Sequence, residues 1–292
     1  MRKEETILNK VNRGYPLPIW LTSHNNPLLP EQIRTELNKP ERKGFFFIQL
    51  VIKGSIEHKL DWKTVTTSEG QILFITPELI HTLPSFNCSA EFYKISFESE
   101  ILKYFPTIFN FFINPFNSNI ISLSKGSKER VELLFKLLHN AMEDKEVSTD
   151  VVLSYLHSLL AECNSAYFKN AENSKIAIDD LDLFIRFKKH IEDKFQEQPS
   201  IEQIASALSV NTNALYQTVK SRTGISPKEF LTERLILEAK RKLYFTDTSI
   251  KELAWLLGYN DPNYFSKLFK RLVGKSIAEY RIEVRQNPIS QS

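Results

Sequence analysis

Cysteine is nearly absent from this chain: 292 residues hold only Cys88 and Cys163. The two lie far apart and neither belongs to a CxxC pair. This argues against a disulfide framework or a thiolate metal site and fits reduced, structural cysteines in a cytosolic protein. A bond between the two stays open. Long apolar runs are also missing. No stretch of about 18 apolar residues occurs, so no membrane-spanning helix is expected. Met1–Lys10 is polar and mixed in charge and lacks the apolar centre of a secretory signal. Catalytic arrangements are missing too. There is no Ser/His/Asp or Cys/His constellation, no phosphate-cradling glycine loop, no paired-carboxylate motif and no HxH pair.

What is present suits a globular chain of about two domains, at roughly 100–200 residues each. It is 42% hydrophobic and 25% charged. The net charge is only +3, but it is unevenly spread. From Leu181 onward there are 18 Lys and Arg against 13 Asp and Glu, while the preceding residues carry a net −2. A basic C-terminal segment suits contact with a polyanion.

The region from Gly44 to Phe97 alternates apolar and polar residues in short runs. Phe45–Ile52 is an apolar run closed by Lys53-Gly54-Ser55. Ile56, His58, Leu60 and Trp62 then alternate with charged residues, and Gln71–Ile75 stops near Pro77. Short strands at this spacing predict a small antiparallel barrel or sandwich. Beyond Ser127 the period changes. Val131, Leu134, Phe135 and Leu138, then Val152, Tyr155, Leu156, Leu159, Leu160 and Cys163, recur at helical spacing. Two amphipathic helices are expected over 128–142 and 149–168. Their stripes need cover from the sheet, from each other or from a second subunit. Lys169–Lys175 is polar and unpatterned, which places a boundary there. From Phe184 onward an all-helical domain is expected.

The C-terminal part repeats itself. Ser200–Asn211 aligns with Ser249–Asn260, and Thr212–Leu231 with Pro262–Arg281, giving ten identical pairs. They include Ser200/Ser249, Ala205/Ala254, Leu208/Leu257, Asn213/Asn263, Lys220/Lys270 and Gly224/Gly274. Each copy carries the punctuation of a helix-turn-helix. Ser200 with Gln203 and Ser249 with Glu252 form capping boxes, as do Ser226 with Glu229 and Ser276 with Glu279. Asn211 and Asp261 suit N-caps, Pro262 suits a first helical position, and Gly224 and Gly274 suit left-handed helix ends. Small Ala205 and Ala254 sit where a second helix must cross closely. Trp255, Tyr259, Tyr264, Phe265 and Phe269 fall at spacings that place most of them in the core.

Residues of about 181–285 resemble the tandem helix-turn-helix domain of the AraC/XylS family of bacterial transcription regulators. Ile250–Gly274 follows the family pattern almost throughout, and Arg234, Ala239 and Leu243 fall where its linking helix has them. The first copy departs at Gln217 and Val219. The stretch Gly44–Phe97, with Gly54, His58, Asp61, Gly70, Pro77 and His81, resembles the cupin-like sensor of such regulators, without the His-rich run that often precedes it. The resemblance implies an α+β multidomain chain: a small cupin-like β-barrel or sandwich with helices over 1–170, a linker over 171–180, and an all-α DNA-binding domain over 181–292. Its helix-turn-helix units span about 200–224 and 249–274. The implied function is a sequence-specific regulator answering to a small effector.

A recognition helix presents its first turns to the major groove. Thr212, Asn213, Tyr216 and Gln217 in the first unit, and Pro262, Asn263, Ser266 and Lys267 in the second, are the expected base contacts. Asn and Gln suit adenine and Lys suits guanine. Lys220, Lys270 and Arg271 are expected at phosphates. Phe45, Phe47, Trp62, Phe74 and His81 are candidates for an effector pocket, the bland reading being that they fill the barrel. Only His58 and His81 are placed to ligate a metal, with Glu57 on the other strand face, so no metal or cofactor is expected. The expected partners are double-stranded DNA, a small effector, a second copy through the 128–168 helices, and RNA polymerase if the protein activates. Two other functions remain as competitors: a metal-dependent cupin enzyme with a DNA-binding tail, and a ligand-independent DNA-binding protein.

Overall fold

A computed structural model describes residues 15–25, 41–42, 44–82, 90–115, 117–172 and 178–286. The chain divides into two compact units, Met1–Ser174 and Lys175–Ser292. Cys88 and most of the segment between the units lie outside the described residues.

The described residues of the first unit form nine strands in two antiparallel sheets. One has the order β1 (Ile19–Ser23), β8 (Glu91–Glu98), β3 (Phe45–Lys53), β6 (Gln71–Ile75) and β9 (Ile120–Ser122). The other runs β2 (Glu41–Arg42), β7 (Ile80–Thr82), β4 (Ser55–Leu60) and β5 (Lys63–Ser68). Side chains alternate faces along a strand. On β3, Ile48 and Leu50 therefore face outward toward the helices, while Phe47 and Gln49 face the second sheet. Two helices, α1 (Lys125–Glu143) and α2 (Thr149–Glu172), cover the five-stranded sheet. Val131, Phe135 and Leu138 of α1, and Val152, Leu156, Leu160 and Cys163 of α2, join one core with Ile48, Phe74, Ile95 and Phe97. Each such fully buried side chain contributes roughly 1.5–3 kcal/mol relative to exposure.

The helical stripes are thus covered by the sheet and by each other within one chain. Leu133 and Val151 stay on the surface. α2 runs on to Glu172, a few residues into the polar stretch where the sequence predicts a boundary. Strands β1, β2 and β9 lie outside the predicted strand region. The effector-pocket expectation is corrected in part by the same alternation. Phe74 packs on the helical side, at 5.1 Å from Phe111 and 5.7 Å from Tyr167. Trp62 sits in the β4–β5 turn, 37% exposed. Phe45, Phe47 and His81 do come together, with His81 at 6.2 Å from Phe45 and 5.9 Å from Phe47.

The second unit is all helical: α3 (Ile178–Lys194), α4 (Ile201–Ala207), α5 (Thr212–Thr223), α6 (Pro227–Phe245), α7 (Ile250–Leu256), α8 (Pro262–Val273) and α9 (Ile277–Gln286). One core joins Phe184, Phe187 and Ile191 of α3 to Leu235 and Ala239 of α6 and to both helix pairs.

Candidate nucleic-acid interface

Each helix pair is assembled from local hydrogen bonds that the sequence repeats. Ser200 and Gln203 cap α4 reciprocally, with the Ser200 N–H donating to Gln203 Oε1 at 2.8 Å. Ser249 and Glu252 do the same for α7 at 2.9 Å. The turn then folds back on the small residue. Val210 N–H donates to the Ala205 carbonyl at 3.0 Å, and Tyr259 N–H donates to the Ala254 carbonyl at 2.9 Å. Both alanines are buried, at 2% and 0% exposure, so a larger side chain would force the helices apart. The turn residue is left-handed in both copies: Ser209 has φ 57° and Gly258 φ 78°. The substitution pattern has a steric reason. A Cβ on Gly258 would lie 2.2 Å from the Gln196 carbonyl oxygen, whereas Ser209 bears only the ordinary cost of that conformation, roughly 1–2 kcal/mol.

Asn211 starts α5 by accepting from the Ala214 N–H at 2.7 Å, and Asp261 starts α8 by accepting from the Asn263 N–H at 2.9 Å. Gly224 and Gly274 end these helices at φ 76° and 81°. Leu215, Thr218 and Val219 face inward on α5, as do Phe265, Leu268 and Phe269 on α8. The opposite face is thereby fixed. Thr212, Asn213, Tyr216, Gln217 and Lys220 are exposed on α5, and Asn263, Lys267, Lys270 and Arg271 are exposed on α8. Pro262 and Ser266 are half-buried, and the Ser266 hydroxyl donates to the Pro262 carbonyl at 2.8 Å. Lys220 donates to the Tyr216 hydroxyl at 3.3 Å. Lys267, Lys270 and Arg271 form no ion pair among the described residues, while Lys275 is held by Glu283 at 2.6 Å.

Most of the five aromatics at core spacing are in the core, as expected, and two are not. Tyr259, Phe265 and Phe269 are buried, but Trp255 is 54% and Tyr264 57% exposed. Tyr264 stands in the first turn of α8 beside Asn263, which adds it to the candidate contact surface. Its position matches Ala214 in the first copy, so the repeat itself marked it as free of the core.

α6 joins the two pairs. Its Arg234 pairs with Glu192 of α3 at 2.8 Å and with Glu238 at 3.2 Å, and its guanidinium lies 4.1 Å from the Phe195 ring centroid. Arg234 and Glu238 are buried, at 8% and 3% exposure. Ions taken out of water persist only when paired this closely, so the network locks α6 against α3. Lys188, also buried on α3, is pushed down to about 8 by desolvation, opposed by the Glu192 carboxylate.

In the first unit, His58 Nε2–H of β4 donates to Gln49 Oε1 of β3 across the sheets at 2.5 Å. Burial first, then the His81 and Lys94 charges, push His58 down to about 3. His81 and Lys94 are buried as well. Among the described residues, no group of three or more His, Cys, Asp or Glu is arranged to hold a metal. None of the described helices is long and apolar enough to cross a membrane.

A family model described as an AraC-like ligand binding domain matches residues 32–160, and one described as a helix-turn-helix domain matches residues 204–282. The HTH-type transcriptional activator RhaS of Enterobacter sp. (strain 638) is 26% identical over 161 residues, covering 54% of this chain and 56% of its own. The activator of the same name from Yersinia pestis (strain Pestoides F) is 29% identical over 94 residues, covering 32% and 34%. The matched regions span about a third to just over half the length of these curated relatives. The C-terminal domain of AraT, a response regulator from Geobacillus stearothermophilus, is 31% identical, covering 34% of this chain and 82% of that one, with a TM-score of 0.33.

Proposed function

We propose, from the premise that the chain belongs to the AraC/XylS family of transcription regulators, that it binds specific DNA sites through α5 and α8 and answers to a small effector held in its first unit. The observation that carries this reading is the repeat of one capped helix pair with an exposed, polar and cationic second helix in each copy. Asn213, Gln217, Asn263 and Lys267 read base edges in this account, while Lys220, Lys270 and Arg271 meet phosphates. Thr212, Tyr216, Pro262 and Ser266 complete the base-facing turns. The proposed division is a sensor over 1–170, a linker over 171–180 and a DNA-binding domain over 181–292. The protein acts in the cytoplasm and without catalysis. It pairs with a second copy through α1 and α2, whose outer face carries Leu133, and an activator would also touch RNA polymerase.

Fragmented genomic DNA offered to the purified full chain tests the reading. Retained fragments should share one sequence element, and unrelated DNA should fail to displace them. Retention without a shared element would replace specific regulation with general DNA packaging.

A further inference from the structure

The interior between the two sheets of the first unit is not filled as an ordinary core. Gln49, His58, Thr67, His81, Lys94 and Ser96 are all buried there, at 0–6% exposure. Residues that only fill a core are apolar, and buried polar atoms normally find partners. Here the His58 Nδ1 and the Thr67 Oγ1 are buried with no hydrogen-bond partner among the described residues. The strand register places them side by side. His58 opposes Val65 and Ile56 opposes Thr67, so the two side chains are diagonal neighbours on one face, about 7–8 Å apart at their backbones. Lys94 lies opposite Gln49 in the β3–β8 pairing, and its charge and that of His81 both reach His58. Around the polar centre stand apolar walls: Phe47 lies 5.9 Å from both histidine rings, and the Lys94 ammonium lies 5.5 Å from the Trp20 ring.

We propose that this interior is the effector site and that it takes a small organic monocarboxylate, the head group held by Thr67, His58 and the field of Lys94, the apolar body lying against Phe47 and Trp20. The inference rests on the effector-responsive reading above and names the class of effector. It also carries a proton step. His58 faces Gln49 and Phe47 from β3, Val65 and Thr67 from β5, His81 from β7 and Lys94 from β8. Among the described residues all of these are neutral or cationic, and the buried His58 is neutral when the site is empty. With Nε2–H directed at Gln49, Nδ1 takes up one proton from solvent and donates it to the arriving carboxylate. No bond other than this N–H is made or broken.

The test uses the full chain and three carboxylates, acetate, hexanoate and phenylacetate, each against its neutral amide at matched ionic strength. Titration calorimetry in two buffers of different ionisation enthalpy reads affinity and proton uptake together. At least one carboxylate should bind about tenfold or more tighter than its amide, with uptake of one proton, and tighten as pH falls from 8 to 6. Lys94→Met and Thr67→Val should each erase most of that preference. No preference for any carboxylate over its amide, or a preference unchanged in both variants, would overturn the proposal. If carboxylate binding holds while specific DNA binding fails, the site stands and the regulator reading falls. The reverse result removes only the site.

Discussion

At the residue scale, two turn positions that the repeat equates should respond in opposite ways. Gly258→Ala drives a Cβ into the Gln196 carbonyl oxygen, 2.2 Å away, at φ 78°. It should cost about 2 kcal/mol or more in thermal or denaturant unfolding. Ser209→Gly relieves a left-handed serine and should be neutral or stabilising, within about 1 kcal/mol. The outward residues of α8 separate by chemistry. Asn263→Ala and Lys267→Ala should each lose about 1–3 kcal/mol on the preferred site and relax the choice at one base pair, whereas Lys270→Ala should weaken all sequences alike and lower the salt slope by about one. Binding selections on randomised sites measure both effects. His58 sets a pH dependence. Its folded-state value is about 3 against an ordinary 6.5, because burial opposes its charge. Between these values the unfolded chain holds the extra proton. Stability from this group is therefore complete above about pH 6.5 and falls with further acidification, by up to about 1.4 kcal/mol per unit for one proton. His58→Gln should flatten that part of the curve. Residue placement was legible where one period governs. It failed for Phe74, because an apolar run buried on both faces hides which face each residue takes. Spacing put most of the C-terminal aromatics in the core, and Trp255 and Tyr264 are the exceptions, each on the solvent face of its helix.

The elements of the second unit were legible almost to the residue, since their starts and stops are set by side chains within a few positions. Ser200, Ser226, Ser249 and Ser276 all make the reciprocal bonds expected of capping boxes. Ser249→Ala should cost about 1 kcal/mol and fray α7 first, seen as faster amide exchange there. The short strands were not legible in this way. β1 and β9 have 5 and 3 residues and find their hydrogen-bond partners at β8 and β6, far off in sequence. A strand that short has no period of its own to detect. The buried Arg234 network was legible only as a family position. What it does follows from distances: it ties α6 to α3, and Arg234→Ala should destabilise by about 3 kcal/mol or more by removing the buried cation that Glu192 and Glu238 share.

At the scale of the whole molecule, the second unit carries its own core and the side-chain caps of α4, α6 and α7. Residues 178–292 expressed alone should therefore fold and bind a selected site with an affinity that falls steeply with salt, as several phosphate contacts require. α6, with 19 residues, is roughly 28 Å long at 1.5 Å per residue. A stiff connector of that length suits two reading helices about one DNA turn apart, roughly 34 Å, on one face of the duplex. Any shortfall would be met by bending the DNA, at a cost of a few kcal/mol. The most direct measurement is a footprint of the full chain on its preferred site, before and after about half a helical turn of DNA is inserted between the protected boxes. On the native spacing, one subunit should protect two short boxes in successive major grooves, centred about 10 base pairs apart. On the expanded template, joint protection should be lost, leaving weak occupancy of the box read by α8. Undiminished affinity and protection on the expanded template would contradict two-headed reading.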